Sequence, residues 1–375
     1  MLNPVFDIAT TVINKADRDH PADAVLRIEL KRQQRLSRES SRETALTVFA
    51  YYRWFGWLDQ QQPMSQQLFQ AVELSRRFQH GRASFTDDEL LAKALPPWVA
   101  GEVVLSADWL RALQSEPPVW LRARPDQGRS LASRLGDSYL VDDLRDAICY
   151  EGAEDLFRTP EFQDGEFELQ DLSSQVVGWI CSPQPTEKWW DACAGEGGKT
   201  LHLADLMQNK GLIWASDRAE WRLKKLRLRA ARAKLFNYRA VLWNGGEKLP
   251  TKTKFDGILI DAPCSGMGTW HRNPQARWTT TPADVAELGA IQDQLLSHAT
   301  SALKPGGRLV YAVCTLSKRE TTDVVAALTQ RFPELQPLAT VNPLHPEAPP
   351  SSQHLMGPRV KGGNGMFVAT WRKVQ

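Results

Sequence analysis

The apolar positions of this chain follow two periods, and the change from one to the other divides it. In ADAVLRIELKRQQRLSRESSRETALTVFAYYRWFGWL, Val25, Ile28 and Leu36 fall at helical spacing in one stretch, and Leu46, Phe49, Tyr52 and Trp57 in the next. Ser37, Ser40 and Ser41, with Glu43 shortly after, mark a helix start between them. Strand-like alternation is scarce, so residues 1–112 predict an all-helical domain. Pro117 and Pro118 then break the chain. VWLRARP predicts a short strand and SLASRLG a short helix ending at Gly136, so 115–165 predict a small α+β domain. From 166 to 375 strand and helix patterns alternate. The strands are EKWWDAC, LIWASD, YRAVLWN, FDGILIDAP, RLVYAVC and, at the end, GMFVATWRK. The helices are TLHLADLMQ, AEWRLKKLRLRAARAKL, PADVAELGAIQDQLLSHATSAL and TTDVVAALTQRF. Such repeated units predict an α/β, doubly wound, mostly parallel sheet covered on both faces. The Pro-, Gly- and Ser-rich stretch 342–365 reads as a loop.

Composition narrows this only a little. The chain has 375 residues, 42% hydrophobic and 24% charged, which is enough for more than one folded core. A net charge of +2 says nothing about partners, so any nucleic-acid argument must rest on local clusters. Cys149, Cys181, Cys193, Cys264 and Cys314 show neither zinc-finger nor redox-pair spacing, as expected of a reduced protein. No secretory signal pattern opens the chain, and no apolar run approaches the ~20 residues of a membrane span. A cytoplasmic protein without a membrane or metal partner is expected.

The chemistry concentrates at predicted strand ends. The first strand of the alternating region runs into Asp191-Ala192-Cys193-Ala194-Gly195-Glu196-Gly197-Gly198-Lys199-Thr200. Glycines after a strand let the backbone approach a ligand at the start of the next helix. GGKT invites a phosphate-loop reading, but that motif needs glycine where Cys193 stands. The second strand ends at Asp217, 19 residues beyond Gly198, where an acid bonds ribose hydroxyls in doubly wound folds. A plain strand–helix turn with a surface acid is the bland alternative. Two further strand ends oppose it: one carries Asp261-Ala262-Pro263-Cys264, the other Cys314. Ligands bind outside the carboxyl ends of such sheets, so all these groups should face one crevice. A lone cysteine there is usually a small buried hydrophobe; two beside an acid and a nucleoside loop are harder to set aside.

Together GEFELQDLSSQ, DACAGEGGKT, ASD, IDAPCSGMGTWHRNPQARW, LVYAVCTL and GMFVAT, spanning residues 165–371, resemble the RsmB-type (Sun/Fmu) RNA cytosine-5 methyltransferases. The helical N-terminus resembles the NusB-like domain that precedes the catalytic part in many members, and EPPVWLRA the start of their small middle domain. The resemblance implies a Rossmann-like class I methyltransferase domain using S-adenosyl-L-methionine. It also implies an RNA substrate, ribosomal RNA first and tRNA second, and a monomer is expected. It makes Cys314 the nucleophile that adds to carbon-6 of cytosine, Cys264 the helper that releases the product, Asp261 the partner of nitrogen-3, and Lys199 the residue that positions Asp261. For the cofactor it implies the backbone of Cys193, Ala194, Gly195, Glu196, Gly197 and Gly198 near the methionine end. Lys199 and Asp261 border that site, Asp217 lies on the ribose with Arg222 close by, and Asn244 follows the third strand.

The sequence departs from the family at four places. Glu196 stands for proline, Asn244 for aspartate, His271 for arginine, and Glu320-Thr321-Thr322 for an E-N-E tract. Asn244 keeps an acceptor and loses a charge. Arg218, Arg222, Lys225, Arg229 and Arg232 form one stripe of a predicted helix and suggest a phosphate-contacting face. A second cluster, Arg27, Lys31, Arg32, Arg35, Arg38 and Arg42, is diluted by acids and reads first as a solvated helix and second as an RNA-docking face. Trp270 and Trp278 read as packing residues. Three rival readings stand. A non-catalytic RNA-binding or ribosome-assembly factor would fail to bind the cofactor. A DNA cytosine methyltransferase would use Cys264, in its Pro-Cys dipeptide, as nucleophile. An NAD-dependent dehydrogenase would leave both cysteines unexplained.

Overall fold

Trp189 and Trp190 are both wholly buried, yet they point into different cores, and the sheet is organised around that alternation. The computed structural model describes residues 4–33, 36–81, 84–141, 143–357 and 362–374. It divides into two compact units, Met1–Pro117 with Gly266–Asp284, and Pro118–Ser265 with Val285–Gln375.

The second unit holds two sheets. Strands β1 (Val119–Ala123), β2 (Ser138–Val141), β3 (Leu144–Tyr150) and β4 (Phe167–Leu169) form an antiparallel sheet in the order β2-β3-β1-β4. The larger sheet comprises β5 (Lys188–Asp191), β6 (Leu212–Asp217), β7 (Tyr238–Leu242), β8 (Phe255–Asp261), β9 (Leu303–Val313), β10 (Leu335–Pro337), β11 (Gln353–Met356) and β12 (Met366–Lys373). Its order is β10-β12-β9-β8-β5-β6-β7, with β11 paired to β12. Strands β5 to β9 are parallel to their neighbours, and β12 runs antiparallel to β9.

Successive side chains of a strand face opposite sides of a sheet. Accordingly Trp189, Leu259, Val310, Ala312 and Val368 join a core under the helices Leu172–Cys181 and Gly198–Leu206. Trp190, Ile258, Ile260, Leu309, Tyr311 and Phe367 join the other, with Leu295, Leu296, Val324 and Leu328 of the helices Pro282–Thr300 and Thr322–Arg331. Gly257 lies opposite Trp189 in the β5–β8 register, and a Cβ there would sit 2.3 Å from the indole. Only glycine leaves room for the ring. The chain winds β5-β6-β7 to one side and resumes at β8 on the other, so the carboxyl ends of β5 and β8 flank the switch point.

The first unit is helical: Pro4–Lys15, Ala22–Arg32, Arg38–Arg53, Met64–His80, Asp87–Lys93 and Ala107–Gln114. Ser37 caps the third helix, accepting from the Ser40 N–H at 3.0 Å, at the start the serines predict. Its core surrounds Trp54, whose ring meets Phe78 and Phe85 at 5.6 and 5.1 Å and whose Nε1 donates to Ser75 Oγ. The segment 266–284 belongs to this unit. Gln275 bridges Asp17 O and the Ala22 N–H, and Trp278 Nε1 donates to Tyr52 O at 2.6 Å. Trp270 is wholly buried, so both tryptophans are packing residues.

The stretch 342–365 is not all loop. It contains β11, whose four residues pair with β12. Gly136, the predicted helix end, caps Gly128–Leu135 at φ 62°, a left-handed value that glycine adopts without a steric cost.

Candidate active site

Five parallel strands deliver the predicted site residues to the sheet's carboxyl edge. Strand β5 leads into the glycine loop, in which Gly195 (φ 56°) and Gly197 (φ 92°) are left-handed. A side chain on Gly197 would also meet Leu226, 2.7 Å from its Cβ. Strand β6 ends at Asp217, whose Oδ2 accepts from the Gly195 N–H at 3.0 Å and whose Oδ1 accepts from the Ala219 N–H at 2.8 Å. Arg222 lies 3.9 Å from the same carboxylate. Just past β7, the Trp243 N–H donates to Asp217 O, and Asn244 Oδ1 accepts from the Gly246 N–H, closing its own turn.

Glu196 is paired with Lys225 at 2.6 Å, and its carbonyl accepts from Arg229. Its charge is thus answered on the surface. Beneath the loop, Asp191 is wholly buried. Thr200 donates to its Oδ2 at 2.6 Å, and its Oδ1 has no hydrogen-bond partner among the described residues. Burial pushes this carboxyl up to about 7.

At the end of β8, Asp261 Oδ2 accepts from Lys199 Nζ at 2.7 Å. Burial alone would lower the lysine; the Asp261 carboxylate, then Cys314 and Asp191, hold it above its ordinary value instead. Lys199 therefore stays an ammonium where Coulomb attraction favours an anion. Cys264 Sγ, three residues past β8, lies 3.3 Å from Cys314 Sγ, one residue past β9. A further thiol, Cys193, lies in the glycine loop. Burial, then the carboxylates of Asp191, Asp261 and Asp217, push Cys193 well up, and burial does the same for Cys181. Neither suits a nucleophile.

One residue that spacing alone does not single out holds the two cysteine loops together. Glu320 is wholly buried. Its Oε1 accepts from the Ser265 N–H at 2.8 Å and from Gln292 Nε2 at 3.0 Å; its Oε2 accepts from Thr315 Oγ1 at 3.0 Å and from Ser265 Oγ. In the sequence it shows as the first acid beyond Cys314 and as the glutamate retained from the E-N-E tract; its partners lie up to 55 residues away.

Acids hold only part of the basic stripe: Arg218, Arg222 and Lys225 are exposed, the last two beside Asp217 and Glu196. Arg229 and Arg232 are tied to Glu168 of β4 at 2.9 and 2.7 Å, with Arg124 of the same unit at 3.0 Å. A buried carboxylate needs such partners, and the helix turns these two cations toward it. In the other cluster Arg27 and Arg32 pair with Asp23 and Glu29 on their own helix, while Arg35 lies outside the described residues.

A doubly wound sheet with an antiparallel last strand, a glycine loop after its first strand and an acid closing its second is a Rossmann-like methyltransferase domain. The profile of the 16S rRNA methyltransferase RsmB/F family matches residues 179–372, and the chain belongs to that family. It is 44% identical over 170 residues to a probable ribosomal RNA small subunit methyltransferase B of Synechocystis sp., covering 44% of this chain and 37% of that one. It is 32% identical over 270 residues to the ribosomal RNA small subunit methyltransferase B of Klebsiella pneumoniae, covering 69% and 60%. The chain thus spans about a third to under two-thirds of these relatives. A methyltransferase homolog from Pyrococcus horikoshii superposes with a TM-score of 0.59 at 29% identity, covering 72% of this chain and 90% of that one.

Proposed function

We propose that this protein methylates carbon-5 of a cytosine in RNA, ribosomal RNA first, through a covalent adduct on Cys314. The observation that carries the reading is the pair of thiols 3.3 Å apart at adjacent strand ends, beside the Lys199–Asp261 pair. Carbon-5 of cytosine is a poor nucleophile. When the Cys314 thiolate bonds to carbon-6, the ring's double-bond electrons become available at carbon-5, and nitrogen-3 takes up a proton. Asp261 enters this step as the acid and gives nitrogen-3 that proton, with Lys199 holding its other oxygen; the proton returns to Asp261 when the adduct breaks. Methylation, loss of the carbon-5 proton and breaking of the sulfur–carbon-6 bond complete the turnover. Cys264 assists that last step from the neighbouring loop.

S-adenosylmethionine, when bound, supplies the electrophilic methyl group. The residues present fit it. Asp217 is an acceptor placed for ribose hydroxyls, and the open side of Gly195 has nothing within 4 Å of an added Cβ. The unpartnered Asp191 Oδ1 marks the floor. Glu196 points its charge at Lys225, so its replacement of proline is compatible with a bound cofactor.

The test uses Cys264→Ala protein, cellular RNA and S-adenosylmethionine. This variant should accumulate protein–RNA adduct that survives denaturing electrophoresis, and adding Cys314→Ala should abolish it. An adduct lost on replacing Cys264 alone would assign the nucleophile to Cys264. Neither adduct nor methyl transfer by wild type, with no cofactor binding, would leave an RNA-binding assembly factor.

A further inference from the structure

We infer that Glu320 is a positioning residue that sets the distance between the two thiols, and through it the release step. The inference rests on Cys264 being the release helper. Its basis is the bonding of one side chain across two loops. Cys264 and Ser265 follow β8; Cys314 and Thr315 follow β9. The two strands are hydrogen-bonded in parallel, with Asp261 opposite Ala312. Beyond that pair the β8–β9 ladder closes with the Ala262 N–H donating to Ala312 O, and β12 holds β9 as far as Val313, one residue before Cys314. Glu320 takes over there. Its four acceptor contacts go to both loops and to Gln292 of the helix Pro282–Thr300, whose Nε2 also donates to Pro263 O at 2.8 Å. Ser265 Oγ and Thr315 Oγ1 touch directly at 2.9 Å. From below, the Tyr311 hydroxyl donates to Glu320 O at 2.6 Å and lies 2.9 Å from Gln292 Oε1.

A carboxylate is the group this place requires. It must accept on both oxygens from donors of two loops, and a buried carboxylate is stable only when its lone pairs are filled. Burial raises the carboxyl, and the bonds from Ser265, Gln292 and Thr315 oppose that rise. An amide of the same shape can accept on one side only. It would leave the Ser265 hydroxyl and Thr315 facing N–H donors, and the loop carrying Cys264 would drift from Cys314. A residue that merely stabilised the fold would not do this selectively.

The experiment compares wild type, Glu320→Gln and Ser265→Ala, each in two assays. In the first, azodicarboxamide oxidises the two thiols to a disulfide and is itself reduced to the hydrazine. The rate of Cys264–Cys314 disulfide formation, followed by peptide mass spectrometry, reads thiol separation without substrate. Glu320→Gln should lower it about tenfold or more, and Ser265→Ala less, with the circular dichroism spectra unchanged. In the second, Glu320→Gln should accumulate covalent RNA adduct as Cys264→Ala does, and a fully disordered site would form none. Wild-type rates of disulfide formation in both variants would overturn the inference. Slowed disulfide formation without adduct in Cys264→Ala would retain the positioning of the thiols while removing the release role and the reading it rests on. Should Glu320→Gln not fold, Ser265→Ala decides by the same two measurements.

Discussion

Asp191 ends β5 with one oxygen bonded by Thr200 and the other without a donor among the described residues. Its carboxyl is raised from 3.8 to about 7, chiefly by burial. Below the ordinary value both the folded and the unfolded chain hold the proton, and Asp191 contributes nothing to pH dependence. Between that value and about 7 the folded chain binds more protons than the unfolded one, so stability falls as pH rises, by at most about 1.4 kcal/mol per unit. Asp191→Asn keeps an acceptor for Thr200 and cannot ionise. Its melting temperature should gain on wild type as pH goes from about 5 to about 8, and a constant difference would refute the raised carboxyl. At the same scale, Lys199→Met removes the 2.7 Å contact with Asp261 and should slow single-turnover methyl transfer by about 100-fold or more. Wild-type turnover in that variant would remove Lys199 from the site. Asp261, Cys264 and Cys314 are legible because each ends or follows an apolar run that reads as a strand, and Lys199 through the family resemblance of the glycine loop. The role of Glu320 is not. Its meaning lies in bonds to Ser265 and Gln292, and no spacing along the chain encodes a distance across two loops.

The helix Glu220–Arg232 shows what a pattern along one element leaves undetermined. Its basic stripe was visible, but the destination of Arg229 and Arg232 depends on Glu168, which sits in a three-residue strand of another sheet. Burial would raise Glu168; Arg229, Arg232 and Arg124 together hold it below its ordinary 4.5. A depressed carboxyl stabilises the fold above its unfolded value and loses that contribution as pH falls through the folded one. Glu168→Gln removes the charge that three guanidinium groups share, though Arg124 keeps Asp205 and Arg229 keeps Glu196 O, and should cost about 3 kcal/mol in urea unfolding at neutral pH. The difference from wild type should shrink as pH falls below the ordinary 4.5 and through the lowered folded value. Equal stability at neutral pH would mean that the arginines find water instead. The same limit governs the missed elements. Strands β4, β10 and β11 have three or four residues, too few to show alternation. The helix Leu172–Cys181 is buried nearly all round and has no polar face to give it a helical period.

At the scale of the whole molecule, the division into units does not follow chain order. The segment 266–284 begins one residue after Ser265, yet it is part of the N-terminal helical unit. Arg277 is the reason on the energetic side. It is wholly buried, and its guanidinium donates to Ala94 O at 2.9 Å, Leu113 O at 2.8 Å and Arg53 O at 3.4 Å. These carbonyls close the C-terminal ends of three helices, where backbone dipoles leave partial negative charge and unpaired acceptors. Burial, then Arg53, bring Arg277 down to about 9, still above neutral pH, so the side chain remains a cation. One planar fork serves three helix ends, a geometry that an ammonium on a flexible stem cannot reproduce. Arg277→Met fills similar space and removes every donor, leaving three buried carbonyls at about 1–3 kcal/mol each. Partial relaxation brings the expected loss to about 3–5 kcal/mol. Hydrogen exchange followed by mass spectrometry should place the change at the last turns of Arg38–Arg53, Asp87–Lys93 and Ala107–Gln114. Arg277→Lys should recover little of it. Faster exchange spread evenly over the helices, or none at these ends, would show that apolar packing around Trp54 holds the unit together without the arginine.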